Sequence, residues 1–388
     1  VNLTIKLLSL MSFLVVAVMN VTGPLLPVIA KDFSILVGEA GIVVAAFAVP
    51  YGLAQLFCGP IADRVGKLRV IAGSLTLSVI FVVGSGFSQS LTQLVVMRFL
   101  SGLSMAGTIP LAMAYIADEV PYESRQLVIG KYINGIIWGS IGGAFFGGIA
   151  VEYFEWRQVF FFLGFWCCLL CIFLWRHVQK EILSEEPLAV GPVIRLYASL
   201  FREVPSRTAM IAVTLEGFFV FGPMAYFGAY LRQVHHLDYS LIGLTLSAYG
   251  VGGLCYVASV NWLVPKLGER GLATSGGLVM GFALFVLAYA PSWWIAFVAF
   301  FFAGFGFYLI HNTMQTRATE LSIHARGAAM SLWAFMLFFG QGIGVFVFGV
   351  LVDDYGYDTL FVVASLGMVS LGLWFQARIK KLSSQIIT

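Results

Sequence analysis

Two ionisable side chains stand out because of the company they keep. Glu216 lies in "TLEGFFVFGPM", residues 214–224, and His311 in "LIHNTMQT", residues 309–316; neither stretch holds another acid or base. A carboxylate and an imidazole inside apolar helices can load and release a proton, because burial disfavours the charged form of an acid. An ionisable group at the centre of a membrane helix costs roughly 2.5–3.5 kcal/mol, so such residues usually mark a pathway. An imidazole in this setting can equally be a packing element, and the acid is the costlier of the two. The reading is that Glu216 carries a coupling proton and His311 tunes it. Asn312 and Gln315 add polar groups beside His311, and Gly222-Pro223 can interrupt the helix just past Glu216. Asn20 and Arg98 are further polar side chains placed deep in apolar runs.

Long apolar helices must position these groups. The chain is 60% hydrophobic and 11% charged, with a mean hydropathy of +0.93. That leaves too little polar surface for a soluble protein of 388 residues. Twelve spans are read near 7–30, 40–60, 69–88, 91–116, 128–151, 157–175, 208–231, 241–265, 272–290, 293–317, 327–351 and 358–377. Each can cross a hydrocarbon layer of roughly 30 Å, and in lipid such segments must be helical to pair their own backbone groups. With a cytoplasmic N-terminus, 18 Lys and Arg fall on inside segments and three (Lys31, Arg157, Arg232) on outside ones. That asymmetry predicts both termini on the cytoplasmic side of a bacterial inner membrane. The first span is read as a transmembrane helix, since it is too long for a secretory leader and no small-residue cleavage site follows. The five cysteines all sit in spans and are read as buried structural thiols. No Ser/His/Asp set, metal-ligand cluster or phosphate loop is present, so no catalytic residues, metal or cofactor are expected.

The chain also repeats itself. The longest polar interruption, 176–207, divides a six-helix bundle (1–175) from a second (208–388) and is read as a cytoplasmic linker. At an offset of about 202, Gly102 falls on Gly304, Asp118 on Glu320, and Arg125 within one residue of Arg326. One residue tighter, Gly139, Gly143 and Gly148 fall on Gly340, Gly344 and Gly349. Duplicated halves are a transporter architecture, with substrate handled between them near the bilayer midplane. The charged stretch "GPIADRVGKLR", 59–69, has its counterpart in "NWLVPKLGERG", 261–271. There Lys266 and Gly268 keep the places of Arg64 and Gly66, while Pro265 replaces Asp63 and Glu269 replaces Lys67.

With that loop between its second and third spans, the sequence resembles the major facilitator superfamily along all twelve. The resemblance implies a cytoplasmic latch: Gly59 permits close helix approach, and Asp63 meets the N-terminus of the eleventh helix near Gly327 and Ala328. A helix N-terminus carries about half a positive charge, which suits a carboxylate. Arg64, Gly66 and Lys67 belong to the same latch, with Asp118, Arg125, Glu320 and Arg326 at the ends of the fourth and tenth spans. "RFLSGLSMAG", 98–107, resembles the family's fourth-span motif around Arg98. The first, fourth, seventh and tenth spans would line the cavity, which gives Asn20, Arg98, Asn312 and Gln315 to the substrate and lets Asn20 and Arg98 face each other. "GKYINGIIWGSIGGAFFGG", 130–148, resembles the signature of proton-linked drug antiporters, with Gly130, Gly139, Gly143, Gly147 and Gly148 in place and Ala144 where a proline is usual. Drug-exporting relatives often carry a first-span acid; this chain has none, which moves the proton site to Glu216 and His311. The expected function is a monomeric, proton-coupled exporter of small amphipathic molecules in the lipid bilayer, with no nucleic-acid partner. Proton symport for uptake of a polar metabolite is the alternative.

Overall fold

The computed structural model describes residues 2–178, 190–321 and 326–386. Ten of its helices are long and apolar enough to cross a membrane: α1 (Leu3–Asp32), α2 (Val37–Val65), α3 (Lys67–Gly86), α4 (Leu91–Glu119), α5 (Val128–Tyr153), α6 (Trp156–Trp175), α8 (Val204–Gln233), α9 (Tyr239–Ala288), α10 (Trp293–Thr319) and α11 (Gly327–Ile379). A further helix, α7 (Val190–Arg202), belongs to the linker, whose residues 179–189 lie outside the described residues. Its Tyr197 hydroxyl donates to the Leu56 carbonyl on α2 at 2.7 Å.

The count of ten differs from the twelve spans read in the sequence, and single glycines account for it. α9 has 50 residues and α11 has 53. At 1.5 Å per residue either would run about 75 Å or more, over twice the roughly 30 Å apolar layer. Each is broken by one residue with positive φ, Gly268 (φ 59°) in α9 and Gly356 (φ 82°) in α11, where two helices meet at a kink. An L side chain pays a steric penalty there that glycine escapes. Gly66, between α2 and α3, also has positive φ (95°), so the repeated loop keeps its turn glycine in both copies. The turn at 268 is so tight that helical hydrogen bonding resumes on either side of one residue.

Two large cores organise the bundle, beside a small cluster of Tyr256, Leu263, Leu272 and Leu309. One is built from buried residues between Ile5 and Leu174. The other runs from Leu200 to Ile379 and takes in Leu26, Ala30, Ala40 and Ala144 from the first half. Large apolar side chains such as Phe162, Phe282, Phe346 and Leu366 are more than 60% exposed, as lipid-facing positions must be. Cys168 and Cys255 are exposed in the same way, so the thiols are not uniformly buried; all five are free.

Bonds between backbone groups and side chains link the first 175 residues to the rest. Gly38 donates its N–H to Asp353 Oδ1 at 2.9 Å, and Tyr239 donates its N–H to Glu152 Oε2 at 2.6 Å. The Tyr226 hydroxyl lies between the Val345 carbonyl (2.6 Å) and the Gly38 carbonyl (3.3 Å). These contacts gather at one end of the bundle. At the opposite end the ion pairs Lys67–Asp118 and Glu269–Arg317 each stay within one half.

Candidate functional site

Glycine sets the position of Glu216. A Cβ on Gly217 would collide with the Leu337 carbonyl of α11, and one on Gly340 with the Thr214 carbonyl of α8. Gly222 and Gly344 likewise approach backbone to backbone. At these glycines α8 lies directly on α11, backbone against backbone. Pro223 has no N–H to offer the carbonyl four residues back, and its ring crowds that carbonyl. The helix responds with a π-helical turn over Gly217–Phe221, in which Gly222 N–H reaches the Gly217 carbonyl. Such wide turns often accompany functional sites. The sequence places a break here; the form it takes is this turn.

Glu216 is fully buried. Its Oε2 lies 2.9 Å from Nδ1 of His311, which comes from α10 and keeps 13% of its side chain exposed. His311 is held by aromatic neighbours: the Phe307 ring at 4.6 Å and the Trp333 ring at 5.1 Å between centroids. A proton can reside on either side of this contact. An ionised carboxylate accepts from imidazolium or from the Nδ1–H tautomer, and a protonated acid donates to bare Nδ1. Removing one partner of a buried pair typically costs about 3–5 kcal/mol, because the other charge stays behind.

Around the pair, buried polar atoms lack hydrogen-bond partners among the described residues: Glu216 Oε1, the Tyr249 hydroxyl, Trp333 Nε1 and, on α11, Gln341 Oε1. Tyr249 of α9 lies within electrostatic reach of Glu216 and packs on Phe307 at 5.9 Å. Tyr249, Trp333 and Gln341 were not legible as site residues in the sequence, which has 35 Phe, 15 Tyr and 9 Trp and no local cue to tell a site aromatic from a packing one.

The other candidates are dispersed. Asn312 neighbours Tyr256, and Gln315 is half-buried. Arg98 is 1% exposed, with Nη1 donating to the Val18 carbonyl at 3.2 Å and its guanidinium over the Phe47 ring at 4.4 Å. Asn20 turns back to its own helix, donating to the Val16 carbonyl at 2.9 Å. Arg98 thus reaches the backbone of α1 rather than facing the Asn20 side chain, and it belongs to the N-terminal core.

Among the latch candidates, Lys67 pairs with Asp118. Asp63 is exposed and makes no hydrogen bond or ion pair among the described residues, and Arg64 is exposed as well. Gly59 has open space where a Cβ would stand, as do Gly130 and Gly327. Glu320 is exposed, and its neighbour Arg317 takes up the pairing with Glu269. The side chains of Arg125 and Arg326 lie outside the described residues. In the fifth-span signature, Gly139 abuts Phe13 and Gly143 abuts Ala17 on α1, Gly147 abuts Val21 and Pro24, and Gly148 abuts Tyr239 and Gly243 on α9.

A polytopic helical bundle with an ionisable pair buried between two of its helices has the build of a membrane transporter. The chain belongs to the Major Facilitator Superfamily, whose profile matches residues 8–332. It is similar to the "Uncharacterized MFS-type transporter YceJ" of Bacillus subtilis, with 28% identity over 86% of this chain and 85% of that one. It is also similar to the "Inner membrane transport protein YnfM" of Escherichia coli, with 24% identity over 91% of this chain and 85% of that one. In fold it is similar to a bacterial homologue of the lysosomal transporter Spinster in an inward-facing, unoccupied conformation (TM-score 0.76, 18% identity, 96% and 94% of the two chains). The nucleoside transporter NupG gives a TM-score of 0.73 at 15% identity, over 97% and 98% of the chains. The chain is a multi-pass membrane transporter and not an enzyme.

Proposed function

We propose that this protein is a proton-coupled secondary transporter that exports small amphipathic molecules by alternating access, as a monomer in a bacterial inner membrane. Its twelve spans form two pseudo-symmetric six-helix halves, α9 and α11 each contributing two spans, and both termini face the cytoplasm. The observation that carries the reading is the 2.9 Å contact between Glu216, fully buried on α8, and His311 on α10. A buried acid whose partner can itself take the proton supplies what a coupled carrier needs, two protonation states with different charge at one site. The basic asymmetry puts the Lys67 end in the cytoplasm, so cross-half contacts at the Gly38 end support an inward-facing conformation. The fifth-span glycines favour export.

The test is flux in proteoliposomes under an imposed pH gradient, across a panel of amphipathic and polar compounds. Glu216→Gln keeps shape and hydrogen bonding but cannot titrate; it is expected to retain substrate exchange and lose gradient-driven accumulation. Accumulation that still follows the gradient in this variant overturns the assignment. Proton symport of a polar metabolite is the second reading, favoured by the unpartnered Tyr249 hydroxyl and Trp333 Nε1 beside the pair. Uptake of a polar compound, with no export of amphipathic ones, would decide for it.

A further inference from the structure

Two of the hydrogen bonds that join the halves are copies of each other. Residue 239 stands 201 positions after residue 38, and residue 353 stands 201 after residue 152, the same offset that superposes the glycines of the fifth and eleventh spans. In one bond the second half supplies the carboxylate, from Asp353 to the N–H of Gly38. In the other the first half supplies it, from Glu152 to the N–H of Tyr239. Both amides belong to the first turn of a helix, where N–H groups have no intrahelical acceptor and the helix presents its positive end. The glycine contacts obey the same symmetry. A Cβ on Gly148 would collide with the Tyr239 carbonyl, and one on Gly38 would collide with Gly349.

We propose that Glu152 and Asp353 are paired positioning residues of the transport cycle: each half caps a helix start of the other, and the two caps together hold the Gly38 end shut. The inference takes alternating access from the reading above but does not depend on proton coupling. Opening at this end must break both bonds, returning two amides and two carboxylates to water. Because the caps lie on either side of the pseudo-two-fold axis, losing one leaves a hinge at the other. Losing both removes the two carboxylate caps and leaves the Tyr226 hydroxyl on the Gly38 carbonyl.

The test uses a variant of the full chain with its five native cysteines replaced and Val44→Cys introduced as a reporter. Val44 lies on α2 near Gly38 and packs against the C-terminal core. Labelling by a membrane-impermeant maleimide in detergent reports opening of this end. Glu152→Gln and Asp353→Asn are each expected to raise the labelling rate about two- to five-fold, the range for one charge at a helix end, and the double variant by roughly the product. Glu152→Asp keeps the charge and should stay nearer the parent than Glu152→Gln. Thermal unfolding midpoints should hardly move, which separates positioning from a merely structural role. Unchanged labelling in both single variants and in the double overturns the proposal. If a charge variant misfolds, the parent reporter decides alone: labelling should rise between low salt and about 1 M salt, because screening weakens charge–dipole contacts at an exposed site. A flat salt response overturns the proposal as well. Loss of proton coupling in Glu216→Gln would leave all these outcomes unaffected, so the two readings fail separately.

Discussion

Lys67 is ion-paired with Asp118, joining the start of α3 to the end of α4, and the second half makes a link of opposite polarity from Glu269 to Arg317, three residues before Glu320, the repeat counterpart of Asp118. Glu269 stands where the repeat places Lys67, so the second copy of the loop has inverted its polarity without losing the link. Asp118 is 57% exposed and Glu269 45%, which limits what either pair contributes. A double-mutant cycle over Lys67→Ala and Asp118→Ala should give a coupling of about 0.2–1 kcal/mol by thermal unfolding. The same cycle over Glu269 and Arg317 should give a similar value, falling in high salt for both. A coupling well above that range would mean the pairs are desolvated in the bilayer setting.

His311 touches Glu216 through Nδ1, 2.9 Å from Oε2, and under the proposed function it acts through that carboxylate. His311→Ala removes this hydrogen-bond partner, so it is expected to shift the pH profile of driven transport while leaving flux measurable. His311→Gln, which restores a hydrogen-bond donor without a titrating group, should follow the alanine variant. Complete loss of flux at every pH in both variants would make His311 indispensable, against a tuning role.

The fold was legible because its causes are local and repeated. Apolar runs longer than a bilayer crossing mark the helices, and charge in the loops marks their ends. The tight turns at Gly268 and Gly356 escaped only as interruptions of secondary structure; the residues around them, 266–271 and 352–357, fall between predicted spans. Glu216 and His311 were legible for the same reason, since a charge in an apolar run is visible without knowing what it touches. Partners were harder. Arg98 was visible as a buried cation, yet nothing in the sequence says that it lies over Phe47 and not beside Asn20. Tyr249 and Trp333 become site residues only through the distances that folding creates, and the reversed pair Glu269–Arg317 reads as a degenerate motif until its geometry is seen.

Asp63 makes no hydrogen bond or ion pair among the described residues in this conformation, and Gly327 has open space beside it. Under the proposed alternating access, the latch onto the helix that begins near Gly327 forms when the Lys67 end closes. This separates two quantities that usually change together. Asp63→Asn should leave thermal stability within about 0.5 kcal/mol, as for other exposed positions without partners. It should nevertheless slow turnover in proteoliposomes several-fold, because the state it stabilises is one the cycle must visit. Turnover equal to the parent would reduce Asp63 to a part of the loop's orientation signal.

The glycines of α5 should likewise divide into two behaviours. A Cβ on Gly139 would sit 2.5 Å from the Phe13 carbonyl and one on Gly143 would sit 2.8 Å from the Ala17 Cα, both within the N-terminal half. That half must hold together in every state of the cycle, so a side chain there strains the fold itself. Overpacking of this kind typically costs about 1–3 kcal/mol. Gly148 instead meets Tyr239 and Gly243 across the junction of the halves, a contact that separates when the Gly38 end opens. A methyl group there strains only the conformation closed at that end. Gly139→Val and Gly143→Val should therefore lower the unfolding temperature and the yield of monodisperse protein. Gly148→Ala should keep both near the parent and raise maleimide labelling of a Val44→Cys reporter. Equal losses of stability at all three positions would mean the halves behave as one rigid body at this junction, and the division between fold glycines and cycle glycines would fall.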